Sequence, residues 1–166
     1  MENVMLNESG AKRNMLGKIV TFSWMKKRLL VEVISICFVI LFLYTAIAKL
    51  IDFQVFMEQL SDSTILGSSA TIIAYGLPLT EFIVSIALFV PRYRLLGLYA
   101  AFILMILFTS YVGILLSIST ELPCSCGGIM EELSWPDHLV VNIVLMCLSL
   151  IGIILAKKIK RNGGKL

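Results

Sequence analysis

Charge is scarce in this sequence. Asp, Glu, Lys and Arg make up 15% of its 166 residues, against about 25% in an ordinary globular domain. Hydrophobic residues reach 58% and the mean hydropathy is +0.93, which excludes a conventional water-soluble domain. Histidine occurs once, at position 138. The four cysteines include no Cys-x-x-Cys spacing, so the usual ligand pattern of a zinc site is missing. No internal repeat or low-complexity run is present. No matched pair of broken helices points to a transporter.

What the chain has instead is long apolar sequence. Four windows stand out, at Leu29–Ile51, Ser69–Val90, Leu95–Ile118 and His138–Ala156. Each is close to the ~20 residues that cross about 30 Å of hydrocarbon as helix. The fold class expected is all-α, a polytopic four-transmembrane-helix bundle with no room for a second domain. Residues 1–28 form a polar, basic N-terminal segment, 29–157 the membrane domain and 158–166 a basic tail. The stretch Met1–Gly17 is expected to be loosely ordered. Ala46-Ile47-Ala48 has the small-x-small pattern of a signal-peptidase site. The apolar run is longer than a signal core, however, and a long mixed segment precedes it, so the first span is read as retained.

The charges assign sides. Thirteen of the 14 basic residues fall before the first span, between spans two and three, or after span four; Lys49 is the exception. The other side collects Asp52, Glu58, Asp62, Glu121, Glu131, Glu132 and Asp137. Cytoplasmic loops gather Lys and Arg, which predicts cytoplasmic N and C termini in a bacterial inner membrane. The net charge of +3 is thereby an orientation signal and a reason to expect contact with anionic lipid. It carries no nucleic-acid role.

The far side also holds the chemistry. Pro123-Cys124-Ser125-Cys126-Gly127-Gly128 lies in the polar connection between spans three and four, in what this orientation makes the oxidising periplasm. A disulfide across one residue closes a small, strained ring, which favours exchange over permanent bridging. A staple closing so short a loop adds little stability. Cys37 and Cys147 fall mid-span and are expected to be small apolar packing residues, with a second thiol pair as the alternative. Four cysteines allow three pairings, which sequence alone does not resolve. Ser134 is a candidate N-cap for span four, with Pro136 and Asp137 in its first turn. Trp135 is a candidate interfacial anchor. His138 then stands one turn before Asn142 on the same face, close to the thiols, as a candidate proton carrier. Cys124, Cys126 and His138 also form an incomplete ligand set for copper or zinc.

Ionisable and hydroxyl-bearing residues inside the spans mark a candidate internal pocket, because such groups are costly in lipid and turn inward. Glu81 is the deepest, three residues after Pro78, whose ring removes a helix hydrogen bond. Lys49 and Asp52 are three apart and candidates to pair. Tyr44, Thr109, Ser110 and Tyr111 would line a cavity if they share a face. Glu32 lies close to the basic boundary and is given no role.

Three stretches together resemble the MauE/DoxX group of small redox-associated membrane proteins. They are Tyr44–Asp52, Leu77-Pro78-Leu79-Thr80-Glu81, and Pro123–Gly128 followed by Ser134-Trp135-x-x-His138-x-x-x-Asn142. The resemblance covers residues 29–157 and implies a four-helix membrane protein tied to disulfide chemistry. DsbB-type proteins and vitamin K epoxide reductases are similar in architecture, but they use Cys-x-x-Cys and a quinone. The resulting expectation is a thiol–disulfide oxidoreductase or electron-transfer subunit. It would act on periplasmic protein thiols through Cys124 and Cys126, with His138 managing a proton. Glu81, Lys49, Tyr44, Trp135 and Asn142 would shape the site of a cofactor, for which a quinone is the candidate. The alternatives are a non-enzymatic assembly subunit and a metal-handling module.

Overall fold

The computed structural model describes residues 2–63, 66–118 and 135–161. Five α-helices make up this part of the chain: α1 (Glu2–Ile51), α2 (Phe53–Asp62), α3 (Ala70–Phe89), α4 (Arg94–Ile118) and α5 (Trp135–Arg161). No strand occurs among the described residues. Four helices are long and apolar enough to cross a membrane, over Met25–Ile51, Gly67–Phe89, Arg94–Ile114 and Asp137–Arg161. The all-α, four-span expectation therefore holds, with boundaries displaced by a few residues.

Two features depart from expectation. The N-terminal residues anticipated as loosely ordered are helical from Glu2. The first proline of the chain is Pro78, and the glycines at positions 10 and 17 each weaken a helix by only about 1 kcal/mol. Nothing in the segment stops α1 from extending outward from the span. The second departure is α2. Phe53, Phe56, Met57 and Leu60 recur at helical spacing against Gln54, Glu58, Ser61 and Asp62, giving an amphipathic helix. It was not anticipated.

The connections are short and set by local bonding. At Asp52 the backbone leaves the helical region (φ −103°, ψ 42°). The Asp52 N–H still bonds the Ala48 carbonyl, and Phe56 N–H bonds the Asp52 carbonyl, so α2 restarts at once. Ser63 ends α2 with extended backbone. Its carbonyl accepts from Gly67 N–H at 2.9 Å, and its hydroxyl accepts from Leu66 N–H at 3.4 Å. A Cβ on Gly67 would stand 2.7 Å from the Ser61 carbonyl oxygen, so this return requires glycine. A one-turn 3₁₀ helix over Gly67–Ser69 leads into α3.

The helices form a ring in which α1 packs on α3 and α5, α4 packs on the same two, and α1 lies diagonal to α4. Lipid tails are as apolar as leucine, so close packing and buried polar contacts hold such a bundle more than hydrophobicity does. The large buried side chains gather toward the basic end, where Val31, Ile34, Phe38 and Phe42 of α1 meet Val84, Leu88, Leu98, Leu104, Met105 and Ile153. A second cluster at the far end joins α2 to α3 through Leu60, Ala70 and Ala74. Outward-facing Leu, Ile and Val cover the span surfaces, as lipid contact demands.

Helices α3 and α4 approach closely at Gly97, where an added Cβ would lie 2.7 Å from Leu88 N and 3.0 Å from the Ala87 carbonyl carbon. Around Gly76 an added Cβ meets nothing within 4 Å. Gly97→Ala is expected to destabilise the purified protein by about 1–3 kcal/mol through forced backbone separation. Gly76→Ala should be neutral or stabilising by ~0.5–1 kcal/mol from helix propensity alone. Denaturant unfolding in detergent micelles checks both, and equal effects at the two positions would refute the close approach.

Candidate functional site

Side chains on a helix lean toward its N-terminus. In antiparallel α1 and α3 this tilts Lys49 and Glu81 toward each other. The Lys49 ammonium reaches back one turn and donates to the Thr45 carbonyl at 3.3 Å. It also donates to both carboxylate oxygens of Glu81, at 2.9 Å to Oε1 and 3.2 Å to Oε2. The side chains are 13% and 1% exposed, so this pair is well removed from solvent. The Thr45 hydroxyl donates to the Phe42 carbonyl at 3.2 Å. Two rings close the arrangement: Phe56 of α2 has its centroid 5.9 Å from Lys49 Nζ, and Phe108 of α4 has its at 6.0 Å. Such distances permit cation–π attraction. Three helices and α2 converge on one buried charge pair.

The local sequence explains the geometry. Pro78 stands inside α3 and is itself buried, depriving the Ala74 carbonyl of its helical partner. Thr80 returns its hydroxyl to the Gly76 carbonyl at 2.7 Å. Ser85 does the same one turn after the carboxylate, donating to the Glu81 carbonyl at 2.9 Å. Hydroxyls of this kind stabilise interrupted helices in apolar surroundings. Among the described residues every buried side-chain nitrogen and oxygen has a hydrogen-bond partner.

The anticipated Lys49–Asp52 pairing is replaced by Lys49–Glu81. Asp52 lies toward the C-terminus of Lys49, against the direction in which the lysine stem leans, and it is exposed at the α1–α2 break. Tyr44 keeps 37% of its surface exposed and sits well round the helix from Lys49. Thr109, Ser110 and Tyr111 do not share a face: Thr109 donates to the Met105 carbonyl of its own helix at 2.6 Å, while Ser110 is exposed. His138 is buried in the first turn of α5, and Asn142, one turn on, is half-buried. Trp135 opens that helix, with Asp137 in its first turn. Cys124, Cys126 and the Ser134 cap lie outside the described residues.

Cys37 and Cys147 are both exposed free thiols, which corrects their reading as packing residues. The buried stripe of α1 runs through Ile34, Phe38 and Phe42, and Cys37 is rotated off it by one position. Cys147 likewise stands two positions from buried Ser149. Glu32 has more to do than expected. Its Oε1 receives Arg94 at 3.4 Å and Arg28 at 3.7 Å, while Arg94 also donates through Nε to the Leu88 carbonyl at 3.4 Å. Arg94 is buried, and the contact ties the start of α4 to α1. Thr45, Phe56 and Phe108 were missed as neighbours of the charge pair. Only Phe56 had a signal in the sequence, the short amphipathic stripe of α2.

Removing one partner of a buried pair strands the other charge, at a cost of about 3–5 kcal/mol, whereas replacing both by apolar residues is often neutral. Lys49→Met and Glu81→Leu should each destabilise the protein on that scale, and the double variant should recover most of the loss. A double-mutant cycle by unfolding in micelles measures this. Additive losses would rule out a coupled pair.

The model of the family described as methylamine utilisation protein MauE matches residues 27–155. No curated protein and no solved structure shows significant similarity to the chain. The match runs from the first turns of the first span to the last turns of the fourth, over the bundle that carries Lys49, Glu81 and His138, and the chain belongs to the MauE family.

Proposed function

We propose that this membrane protein is a thiol–disulfide oxidoreductase, or the electron-transfer subunit of one, working through Cys124 and Cys126. The observation that carries the reading is the Cys-Ser-Cys-Gly-Gly sequence in the α4–α5 connection of a chain of this family. The distribution of Lys and Arg supports cytoplasmic termini and an inner-membrane setting, which exposes that connection to a compartment where disulfides persist. Methylamine utilisation in the family's description is in keeping with an accessory subunit serving a periplasmic protein.

The exchange is written for a partner with two thiols. One partner thiolate attacks a sulfur of the Cys124–Cys126 disulfide, breaking that bond and forming a mixed disulfide with release of one cysteine thiolate. The partner's second thiolate then attacks its own sulfur in the mixed disulfide. The partner leaves oxidised, and Cys124 and Cys126 hold two electrons and, once protonated, two protons. Run backward, the reduced pair reduces a partner disulfide through the same intermediate, with the second cysteine resolving it. A second dithiol or disulfide protein resets the pair in either direction. His138, buried at the start of the helix that follows the cysteines, is assigned to proton transfer.

Of the residues set aside for a quinone, Lys49 and Glu81 offer it no uncommitted donor. Lys49 commits donors to Thr45 and to both oxygens of Glu81, leaving the pair closed on itself beneath two phenylalanine rings. Tyr44 is turned outward. We assign no electron step to a quinone. The role given to Lys49 and Glu81 is to fix α1 and α3 beside the reactive end.

The test is alkylation trapping of Cys124 and Cys126 in intact membranes. Cys37 and Cys147 are free thiols and are first replaced by serine, so that any label reports on the pair alone. On addition of a reduced protein dithiol, an oxidised pair should convert within about a minute, where uncatalysed rearrangement takes minutes to hours. A pair fixed in one state under reducing and oxidising protein partners alike would overturn the exchange mechanism. Serine at both positions should abolish transfer while leaving the unfolding transition unchanged.

A further inference from the structure

Between Lys49 and Arg92, and again between Arg94 and Lys157, the sequence contains no Lys or Arg. Those two stretches supply the end of the bundle where α1 passes to α2 and α4 passes to α5. Lys49 is bonded to Glu81, so that pair adds no net charge there, and His138 is buried. Asp52, Glu58 and Asp62 are exposed on and beside α2, and none of the three is in an ion pair among the described residues. Glu121, Glu131 and Glu132 belong to the same connection as Cys124 and Cys126.

Helix α2 has an open face at this end. Phe53, Phe56, Met57 and Leu60 pack toward α3, while Gln54, Val55, Glu58, Ser61 and Asp62 are exposed on the other side. That face lies near the reactive connection. Phe56 of α2 and Phe108 of α4 stand 5.9 Å and 6.0 Å from one atom, Lys49 Nζ, so α2 flanks the helix that leads into the cysteines. Cys124 follows the end of α4 at Ile118 by a stretch that extended chain covers in at most about 22 Å. A carboxylate-bearing face with no cation among its exposed groups repels the phosphates of lipid and the surfaces of acidic proteins. It attracts a protein surface of the opposite sign.

We infer that the partner exchanging with Cys124 and Cys126 carries Lys or Arg around its own thiols and docks them on the outer face of α2, at Glu58 and Asp62. The inference rests on the exchange reading and adds to it the charge of the partner and a contact away from the cysteines. Charges at the rim of an interface act mainly on the rate of encounter. The signature is therefore a second-order rate that falls with salt.

The test uses the full chain with Cys37 and Cys147 replaced by serine and the Cys124–Cys126 pair oxidised, in nanodiscs of zwitterionic phosphatidylcholine. Three reductants are offered: dithiothreitol and two Cys-x-x-Cys peptides, one flanked by four lysines and the other by four glutamates. Each rate is divided by that reagent's rate with hydroxyethyl disulfide, which removes differences in thiol reactivity. At about 0.01 M ionic strength, where screening extends over ~30 Å, the lysine peptide should lead the glutamate peptide roughly ten-fold or more. The lead should close at about 1 M, where the screening length is ~3 Å. Glu58→Gln with Asp62→Asn should cut the lead several-fold and leave the dithiothreitol rate unchanged. Glu2→Gln with Glu8→Gln, at the opposite end of α1, should leave both unchanged. Equal normalised rates for the two peptides would overturn the inference, as would a lead that survives intact in the α2 variant. A lead abolished by micromolar calcium at constant ionic strength would also overturn it and assign the face to a divalent cation. Conversion by dithiothreitol without discrimination between the peptides would sink this inference alone. Failure of all three reductants would sink the exchange reading and the inference with it.

Discussion

A polar group inside hydrocarbon has to find its partner within the protein, because the bilayer offers none. That constraint organises this molecule more than its apolar residues do. Lys49 and Glu81 cannot each face lipid, so α1 and α3 must meet, and in the register that lets both side chains lean inward. With the lysine folded back to Thr45, the pair sits about 20 Å along α1 from Glu32 at 1.5 Å per residue, well inside the span. Helix α2 then has a reason to turn at Asp52. Restarting there lays Phe53, Phe56 and Met57 against α3 and brings the Phe56 ring over the ammonium.

The two ends of the bundle are built differently. Toward the basic end, interlocking aromatic and aliphatic side chains fill the space, and Arg94 reaches Glu32 to pin the start of α4. Toward the far end the large buried hydrophobics thin out, and an ion pair, the back-bonded Thr45 hydroxyl and a buried histidine stand in their place. Polar contacts of this sort hold position without dense packing. The connection that carries Cys124 and Cys126 joins α4 to α5 at that second, more polar end.

Much of the architecture could be read from residue order, and the reasons are physical. Span number follows from the length of apolar runs, which the bilayer thickness dictates, so Leu29–Ile51 and its three companions were recoverable. Partner choice was not. Lys49 has Asp52 three residues away and Glu81 thirty-two away, and only the direction of side-chain lean together with helix pairing selects the distant one. Helix α2 was missed because ten residues carry barely three turns of periodic signal beside the far stronger apolar runs. Cys37 and Cys147 were misjudged because spans apolar all round give no moment from which to tell a buried face from an exposed one. Glu32 was passed over for a similar reason. Its main partner, Arg94, is 62 residues away, and it had been counted only as a charge at the boundary.

The Lys49–Glu81 contact also orders events in time. Lys49 stands in the last turn of α1, and its carboxylate is made 32 residues later. At about 5–20 residues per second, the ammonium waits roughly 2–6 s before a counter-charge exists. Arg94 carries no such delay, since Glu32 precedes it in the chain. During that interval a lone first span would carry the ammonium without its partner, at a cost of about 2.5–3.5 kcal/mol for a charge at mid-helix, and the arrival of α3 removes that cost.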